Sequence, residues 1–312
     1  MMRALPEGPI LVTGANGFVG RHVLAALAAA LPHAEIICST ADITDQDAVR
    51  ALIGAGQPAC CVHLAAVAAI GVARSNPGRA WAVNLHGTLH LATAIRDLAP
   101  QCRLIFISSA DIYGGSFRTG QALDEQALLS PLNTYGATKA AADLALGAMA
   151  AEGLSVLRLR AFNHTGPGQS EDFVVPAFAR QIARIEAGLA PPVIAVGALD
   201  TERDFLDVRD VARAYVAAVT RADTLPVNAI LNISSGATRR IGDVLSSLLA
   251  LSKAEIRIEQ DKARLRPSDI PRAVGDARLA QRLLGWQPSI PWQDTLTDVL
   301  NDWRVRVRGD KT

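Results

Sequence analysis

The sequence predicts an α/β protein built on a doubly wound parallel sheet, with a smaller α/β lobe beside it. Three observations predict this: apolar strand-like runs alternate with helical patterns, a glycine-rich turn follows the first run, and the pattern changes after residue 162. Strands that alternate with helices form βαβ units, and their parallel strands are apolar throughout because both faces are buried. The chain has 312 residues, 50% of them hydrophobic, which is enough for two lobes.

The elements of the first half follow from apolar periodicity and turn residues. Strands are predicted at residues 10–13, 35–39, 60–64, 104–108 and 155–160. Helices are predicted at residues 18–30, 45–53, 77–98 and 133–151.

Turn residues crowd residues 163–169 and mark the second half of the chain. There the patterns predict helices at 176–187, 208–221 and 241–251, strands at 191–196 and 230–234, and a helix–turn–helix tail over 276–303. We expect the strand at 230–234 to rejoin the main sheet. The predicted lobes are therefore residues 1–165, rejoined by about 206–235, and residues 166–205 with 236–312.

Composition argues against several functions. Lys and Arg together number 31 against 30 for Asp and Glu, and aromatic residues make up 4%, so we expect no nucleic-acid partner. The N-terminal residues lack the apolar core of a secretory signal, and the longest nearly apolar stretch, 59–73, is too short to span a bilayer. The four cysteines have no metal-ligand spacing, so we predict no metal site and a cytoplasmic protein without a membrane partner.

A glycine loop joins the first strand to the first helix. Gly14 permits a tight turn, Gly17 lets the backbone approach a pyrophosphate, and Gly20 lets helix and strand pack closely. Because the loop directly follows an apolar strand, it predicts a Rossmann-type dinucleotide site. Besides the glycines, we expect three other residues of this segment to contact the cofactor: Asn16, Phe18 and Val19.

The end of the second strand bears on the choice of cofactor. A carboxylate there would hold the ribose of NAD, but the strand ends in Ser39 and Thr40. Small hydroxyl residues leave room for a 2′-phosphate, and Arg21 is a candidate for its positive charge. NADP(H) is therefore favoured, and NAD(H) stays possible. Asp42, followed by Ile43, is predicted at the adenine, with a helix cap or turn as the alternative for Asp42.

Tyr135 and Lys139 form the predicted chemical centre. Their i, i+4 spacing places a phenol and an ammonium on one helix face. The ammonium is expected to lower the pKa of the phenol towards neutrality, which would make it a general acid or base. Ser109 follows a core strand, at the edge of the sheet where ligands bind, and is expected to hydrogen-bond a substrate oxygen.

Two further segments belong to the predicted site. Leu64, Ala65 and Ala66 follow the third strand, and the small residues of this segment would let a nicotinamide lie close to the backbone. Asn84 lies within the next predicted helix and is expected to reach inward, with an ordinary surface asparagine as the alternative.

These motifs together resemble the extended short-chain dehydrogenase/reductases. The glycine loop, HLAA, VNLHGT, SSADIYG and YGATK occur in the order and approximate spacing of that family, and the resemblance covers essentially the whole chain. It implies Ser109, Tyr135 and Lys139 as catalytic residues, Asn84 as a supporting residue and Phe162 as a cofactor contact. It also implies hydride transfer at a sugar carbon of a nucleotide-sugar, and a homodimer that pairs through the helices at 77–98 and 133–151.

The second half resembles the members of this family that reduce GDP-4-keto-6-deoxy-D-mannose. The segments that carry this are FNHTGPGQSEDFVVPAFARQIARIEAG, TERDFLDVRDVARAY and RPSDIPRAVGD. The resemblance implies a GDP-sugar partner, with arginines for the diphosphate because guanidinium binds phosphate oxygens in a bidentate fork. The residues implied as substrate contacts are Asn163, Arg180, Arg203, Arg266 and Asp269.

Asp111 bears on the choice between reductase and dehydratase. The related 4,6-dehydratases carry Thr-x-Glu where this chain has Ser109-Ala-Asp111, and their glutamate removes the sugar C5 proton. The shorter aspartate favours the NADPH-dependent 4-keto reductase, with Asp111 orienting a loop or a substrate hydroxyl. A 4,6-dehydratase and a nucleotide-sugar 4-epimerase stay as alternatives within the family. A non-catalytic NADP(H)-sensing protein is the alternative of another class.

Overall fold

The computed structural model describes residues 8–261 and 270–309, which form an α/β fold. The strands in these residues are β1 (Ile10–Thr13), β2 (Ile36–Ser39), β3 (Cys60–His63), β4 (Arg103–Ser109), β5 (Val156–Ala161), β6 (Asn163–Thr165), β7 (Val193–Val196), β8 (Glu202–Asp207), β9 (Ile230–Ile233), β10 (Thr238–Arg240), β11 (Arg257–Gln260) and β12 (Arg272–Ala273).

The α-helices in the same residues alternate with these strands through the first half. They are α1 (Phe18–Ala30), α2 (Gln46–Gly56), α3 (Ile70–Ser75), α4 (Pro77–Trp81), α5 (Thr88–Leu98), α6 (Thr134–Ala151), α7 (Val174–Glu186), α8 (Val208–Thr220), α9 (Ile241–Ala250), α10 (Arg278–Leu284) and α11 (Trp292–Gly309). A π-helical turn, Ala82–Gly87, lies between α4 and α5. Among the helices of the described residues, none has the length and apolarity that crossing a membrane requires.

The main sheet has six parallel strands in the order β2–β1–β3–β4–β5–β9. The chain passes from β1 to β2 on one side and then returns to β3 on the other, so the strand order reverses beside β1. Ligands of doubly wound sheets bind at the carboxyl ends of the strands at such a reversal. The predicted return of β9 to the main sheet is confirmed by its pairing with β5.

Alternate residues of the main strands enter two cores, one on each face of the sheet. Ile10 and Val12 pack with α1 and α8 on one face. Leu11 packs with α2, α5 and α6 on the other. Burial on both faces explains why these strands are apolar throughout.

Smaller sheets lie beside the main one. β8 pairs with β10 on one side and β12 on the other, β6 also pairs with β8, and β7 pairs with β11. A third core joins α7, α9 and α11 to β7 and β8. The sequence predicted β7 but none of the other five strands of these sheets, because they are short and all except β6 carry charged residues. The exact limits of the two lobes stay a prediction.

The predicted helix over residues 77–98 is confirmed as a continuous helical segment, but the π turn within it was not predicted. The structure divides this segment into α4, the π turn and α5. The wider turn carries Asn84, whose side chain is bonded to other segments, and Gly87, where a Cβ would lie 2.7 Å from Cγ1 of Ile43. These tertiary contacts favour the π turn, and helical periodicity in the sequence does not record them.

Candidate active site

The glycine-rich turn joins β1 to α1 where the strand order reverses. Gly14 has a φ of +68°, and a Cβ there would lie 2.7 Å from the backbone nitrogen of Ala65. A Cβ at Gly20 would overlap the carbonyl oxygen of Gly14, so glycine is needed for α1 to pack against the turn. Gly17 caps α1 without a side chain, which leaves the helix amides accessible to an anion. These features fit the diphosphate of a dinucleotide.

Arg21 connects this loop to the turn at residues 163–169. Its guanidinium donates to the carbonyl oxygen of Asn16 at 3.1 Å and to that of Gly168 at 3.2 Å. These contacts place Arg21 between the loop and the turn, and its role in providing charge for a 2′-phosphate stays a prediction. The ring of Phe18 stacks on that of His164, with 6.3 Å between centroids, so loop and turn form one wall.

The predicted adenosine contacts lie after β2. Ser39 ends the strand and is nearly buried. Asp42 accepts hydrogen bonds from the backbone nitrogen and the hydroxyl of Thr44, at 3.0 and 2.8 Å, and pairs with Arg79 at 3.3 Å. The bonds from Thr44 are the main cause that lowers the pKa of Asp42. Asp42 thus stabilises a turn in this structure, and its contact with the adenine stays a prediction. Ile43 beside it is buried.

The other predicted cofactor residues occupy two environments. Val19 and Leu64 both pack against the core on the α1 and α8 face of the sheet. Ala66 follows β3 in the chain. Phe162 is only 2% exposed, and its ring packs against Phe117 with 6.0 Å between centroids. The ring of Phe162 therefore belongs to a buried cluster, and its role as a cofactor contact stays a prediction.

Ser109, Asp111 and Tyr135 meet at the end of β4. The Ser109 hydroxyl accepts from the backbone nitrogen of Asp111 at 3.2 Å and donates to its carboxylate at 3.4 Å. The Tyr135 phenol lies beside both residues, since both act on its pKa. Asn133 caps α6 by accepting from the Gly136 amide at 2.8 Å, which fixes the first helical turn and Tyr135 with it.

The pKa of Tyr135 departs from the expectation. Burial raises it above the usual range, the Asp111 carboxylate raises it further, and only the bond with Ser109 lowers it. The predicted lowering by Lys139 was wrong for this structure, because desolvation of the phenol outweighs any effect of the ammonium. The phenol is therefore protonated at neutral pH, which is the form that can give a proton.

Lys139 lies one helical turn beyond Tyr135 and is almost completely buried. Its Nζ is 4.2 Å from the centre of the Phe106 ring. Burial lowers its pKa to about 7, and the charge of Asp143 partly opposes that change. The buried Asp143 carboxylate is itself bound by Arg158 at 2.8 Å and Arg160 at 3.0 Å. α6 is thus attached to β5 directly beneath the lysine.

Asn84 is buried and reaches inward, as expected, so it is not a surface asparagine. Its carboxamide oxygen accepts from the Val67 nitrogen at 2.8 Å, and its nitrogen donates to the Val67 oxygen at 3.1 Å. The same nitrogen donates to the Thr138 hydroxyl at 3.0 Å, which in turn donates to the Tyr135 carbonyl at 2.8 Å. Asn84 therefore connects the segment after β3 to the helix of Tyr135.

The predicted substrate contacts are only partly brought together. Arg203 on β8 lies near Asp111, whose charge opposes the lowering of the Arg203 pKa by burial. Asn163 is exposed on β6, which pairs with β8. Arg180 forms an ion pair with Glu171. Two of the predicted contacts lie outside the described residues: Arg266 and Asp269.

Several buried polar residues around the site were not predicted from the sequence. Asp143 continues the i, i+4 series of Tyr135 and Lys139, and this spacing could have revealed it. His63 was read only as part of a strand end, yet both of its ring nitrogens are bonded. Its partners are the hydroxyls of Thr13 and Thr88, and no sequence pattern marks these threonines.

Two comparisons of the sequence find nucleotide-sugar enzymes that are similar to this chain. The profile of a family described as GDP-mannose 4,6 dehydratase matches residues 29–299. A GDP-6-deoxy-D-mannose reductase from Pseudomonas aeruginosa is 36% identical over 304 residues, which cover 96% of this chain and 99% of that protein.

Solved structures share the fold over nearly the whole chain. The structure of RMD from Pseudomonas aeruginosa complexed with NADPH has a TM-score of 0.87 at 33% identity and covers 96% of this chain and 99% of that one. A Thermus thermophilus UDP-glucose 4-epimerase complex with NAD has a TM-score of 0.81 at 25% identity and covers 95% and 99%. The chain belongs to the GDP-mannose 4,6-dehydratase family of extended short-chain dehydrogenase/reductases.

Proposed function

We propose that this chain is an NADPH-dependent reductase of the 4-keto group of a GDP-4-keto-6-deoxy-hexose, forming GDP-6-deoxy-D-mannose. The observation that carries the proposal is the meeting of a protonated Tyr135 and Ser109 at the end of β4, with the buried Lys139 one helical turn beyond Tyr135. The choice of substrate is supported by the similarity of nearly the whole chain to a GDP-6-deoxy-D-mannose reductase.

The residues act on the substrate oxygen at C4. Ser109 and Tyr135 hold the 4-keto oxygen by hydrogen bonds, and Arg203 contributes positive charge on the side of the nucleotide-sugar. When bound, the cofactor supplies the hydride that reduces C4. Tyr135 then donates its phenolic proton to the forming alkoxide, and the Lys139 ammonium stabilises the phenolate that remains. Asn84 holds the helix that carries both residues.

NADPH is the proposed cofactor. β2 ends without a carboxylate, which leaves room for a 2′-phosphate, and a similar solved structure is complexed with NADPH. NADH stays the alternative, because another similar structure is in complex with NAD. The glycine loop fits the diphosphate of NADPH and also that of NADH.

The test is turnover of a defined substrate. We expect the purified chain to oxidise NADPH in the presence of GDP-4-keto-6-deoxy-D-mannose. The loss of absorbance at the nicotinamide band measures this oxidation. Tyr135→Phe should lower the rate by about two to four orders of magnitude, because the proton donor is lost. NADPH affinity, measured by the fluorescence of the bound nicotinamide, should stay nearly unchanged.

A Tyr135→Phe protein with normal turnover would overturn the mechanism. Full activity without added NADPH would indicate a 4-epimerase that retains its cofactor. Tight NADPH binding without turnover of any nucleotide-sugar would favour the non-catalytic sensor.

A 4,6-dehydratase is the second candidate, because the matching family profile bears that name and Asp111 lies beside Tyr135. Burial raises the pKa of Asp111, as a proton-transfer residue requires. Incubation with GDP-mannose and NADP⁺ distinguishes this candidate: a 4-keto product detected by mass spectrometry would support it. For the reductase we expect GDP-mannose to be recovered unchanged.

We further propose that the chain acts in the cytoplasm as a homodimer. Three exposed apolar side chains support the dimer: Ile70 and Val72 on α3, and Leu144 on α6, are 37%, 47% and 60% exposed. α3 contacts α6, so these side chains belong to neighbouring helices. The π turn and α5 also pack against α6, at the surface where pairing was predicted.

A further inference from the structure

A continuous chain of hydrogen bonds passes through His63 at the end of β3. The Thr88 hydroxyl donates to the carbonyl oxygen of Asn84 at 2.8 Å, so its single proton is used there. His63 Nε2 lies 3.0 Å from the same hydroxyl. The hydroxyl can only accept from the ring, and Nε2 therefore carries a proton.

The other ring nitrogen has the opposite role. Nδ1 of His63 lies 2.7 Å from the hydroxyl of Thr13, which accepts from the Ala65 nitrogen at 3.3 Å. If Nδ1 also carried a proton, that proton and the proton of the Thr13 hydroxyl would compete for the space between the two atoms. The bonds thus assign His63 as the neutral Nε2–H tautomer. Burial agrees with this assignment, because it lowers the pKa of His63 to about 3 and the charge of Lys139 adds to the effect.

The two ends of this chain lie at different parts of the site. At one end, Thr13 closes β1 and Ala65 lies against Gly14 of the glycine loop. At the other end, Asn84 sits in the π turn and bonds Thr138, whose hydroxyl donates to the Tyr135 carbonyl. One set of buried bonds therefore connects the cofactor loop to the catalytic helix.

We propose that His63 is a positioning residue that, as the neutral Nε2–H tautomer, holds the glycine loop and the Asn84 π turn at a fixed distance from each other. This inference rests on the proposed function for its chemistry. An imidazole fits the role because it accepts on one edge and donates on the other, between Thr13 and Thr88. Fixed geometry matters for hydride transfer, since a displacement of about 1 Å can cost about a hundredfold in rate.

Removal of the acceptor of Nε2 tests the proposal. Thr88→Val keeps the shape of the side chain but leaves the buried Nε2–H and the Asn84 carbonyl without their shared hydroxyl. We expect the single-turnover rate of NADPH oxidation to fall by about ten- to a hundredfold. Thr88→Ser restores the hydroxyl and should recover most of the rate. NADPH affinity should change little in either variant.

The matched control is Thr220→Val. Thr220 also bonds a carbonyl within its own helix, that of Ala217 on α8, at 3.2 Å. This variant should keep the wild-type rate. Equal rates for Thr88→Val and the wild type, with both folded, would overturn the positioning role, as would a Thr88→Ser variant as slow as Thr88→Val.

Two measurements do not depend on sugar turnover, so they separate this inference from the proposed function. Imidazole ¹⁵N NMR of the whole protein, with His63 assigned by comparison with His63→Gln, should show the Nε2–H tautomer unchanged between about pH 5 and pH 8. An Nδ1–H or charged ring would overturn the assignment. Backbone deuterium exchange should increase at residues 134–139 in Thr88→Val but not in Thr88→Ser. The absence of any increase in Thr88→Val would count against the positioning role of His63. This holds even if the wild type lacks reductase activity.

Discussion

The ammonium of Lys139 makes stability depend on pH at the scale of a single residue. Its pKa in the folded protein is about 7, because burial disfavours the charged form. The pKa of an unfolded lysine is about 10.4. Between these values the unfolded chain binds more protons than the folded chain, so the free energy of unfolding rises with pH. The contribution is complete above pH of about 10.4 and is lost as pH falls towards about 7.

We expect Lys139→Met to gain stability relative to the wild type as pH falls from about 10 to about 7. Methionine has a similar length and no titratable charge. Urea unfolding at several pH values measures this difference. Lys253→Met, at an exposed position, serves as the control and should differ from the wild type by a constant amount. Parallel pH dependence for Lys139→Met and the wild type would contradict the buried titration.

Residue types and spacing allowed the catalytic group to be predicted, but not its electrostatics. Ser109, Tyr135 and Asn84 were identified from motifs, and the structure brings them into one connected site. The direction of the Tyr135 pKa change was wrong, because an i, i+4 spacing says nothing about how deeply the phenol is buried. The role of His63 depends on both of its neighbours along the hydrogen-bond chain, which a sequence does not show.

At the scale of elements, the attachment of α6 to β5 depends on a buried ion cluster. Asp143 has a fully buried carboxylate that binds Arg158 and Arg160. Removal of its charge would leave two buried guanidinium groups without their shared partner. A buried ion pair broken in this way costs about 3–5 kcal/mol, whereas an exposed pair contributes about 0–1 kcal/mol.

We therefore expect Asp143→Asn to lower the free energy of unfolding by about 3–5 kcal/mol, measured by urea denaturation. The matched control is Asp97→Asn, which removes the partner of Arg50 in an ion pair of 3.1 Å whose side chains are 39% and 38% exposed. That variant should cost about 0–1 kcal/mol. Similar small losses in both variants would show that the cluster does not anchor the helix.

The sequence predicted well the elements in which buried residues recur at a regular spacing along the chain. The five strands predicted in the first half each pair in the main sheet, and α6 begins one residue after its asparagine cap. The π turn at residues 82–87 was missed because Asn84 favours it through bonds to Val67 and Thr138, which are distant in sequence. Strand β8 was missed because Glu202-Arg203-Asp204 has no apolar alternation.

At the scale of the whole molecule, buried carboxylates connect the parts that the sequence could only assign to separate lobes. Asp204 on β8 accepts from the backbone nitrogens of Ser235 at 2.8 Å, just after β9, and Gly236 at 3.0 Å. Asp207 caps α8 and accepts from the Thr295 hydroxyl on α11 at 2.8 Å. These bonds cross between segments far apart in sequence, so no local pattern could have predicted how the smaller sheets meet the main one.

The proposed homodimer gives the last prediction. Leu144 is 60% exposed on α6, and α6 contacts α3, which carries two further exposed apolar side chains. If α6 pairs with its copy, an arginine at this position would place a charge in an apolar interface twice, once from each subunit. We expect the wild type to sediment as a dimer at micromolar concentration, and Leu144→Arg to weaken dimerisation by about tenfold or more.

Val305→Arg is the matched control for this test, because Val305 is 70% exposed on α11, a helix outside the predicted interface. It should remain dimeric in analytical ultracentrifugation. A monomeric wild type would overturn the dimer, and a Val305→Arg variant that dissociates while Leu144→Arg does not would move the interface to α11. Because Leu144 lies on the helix of Tyr135 and Lys139, loss of pairing should also lower turnover if the dimer holds that helix in place.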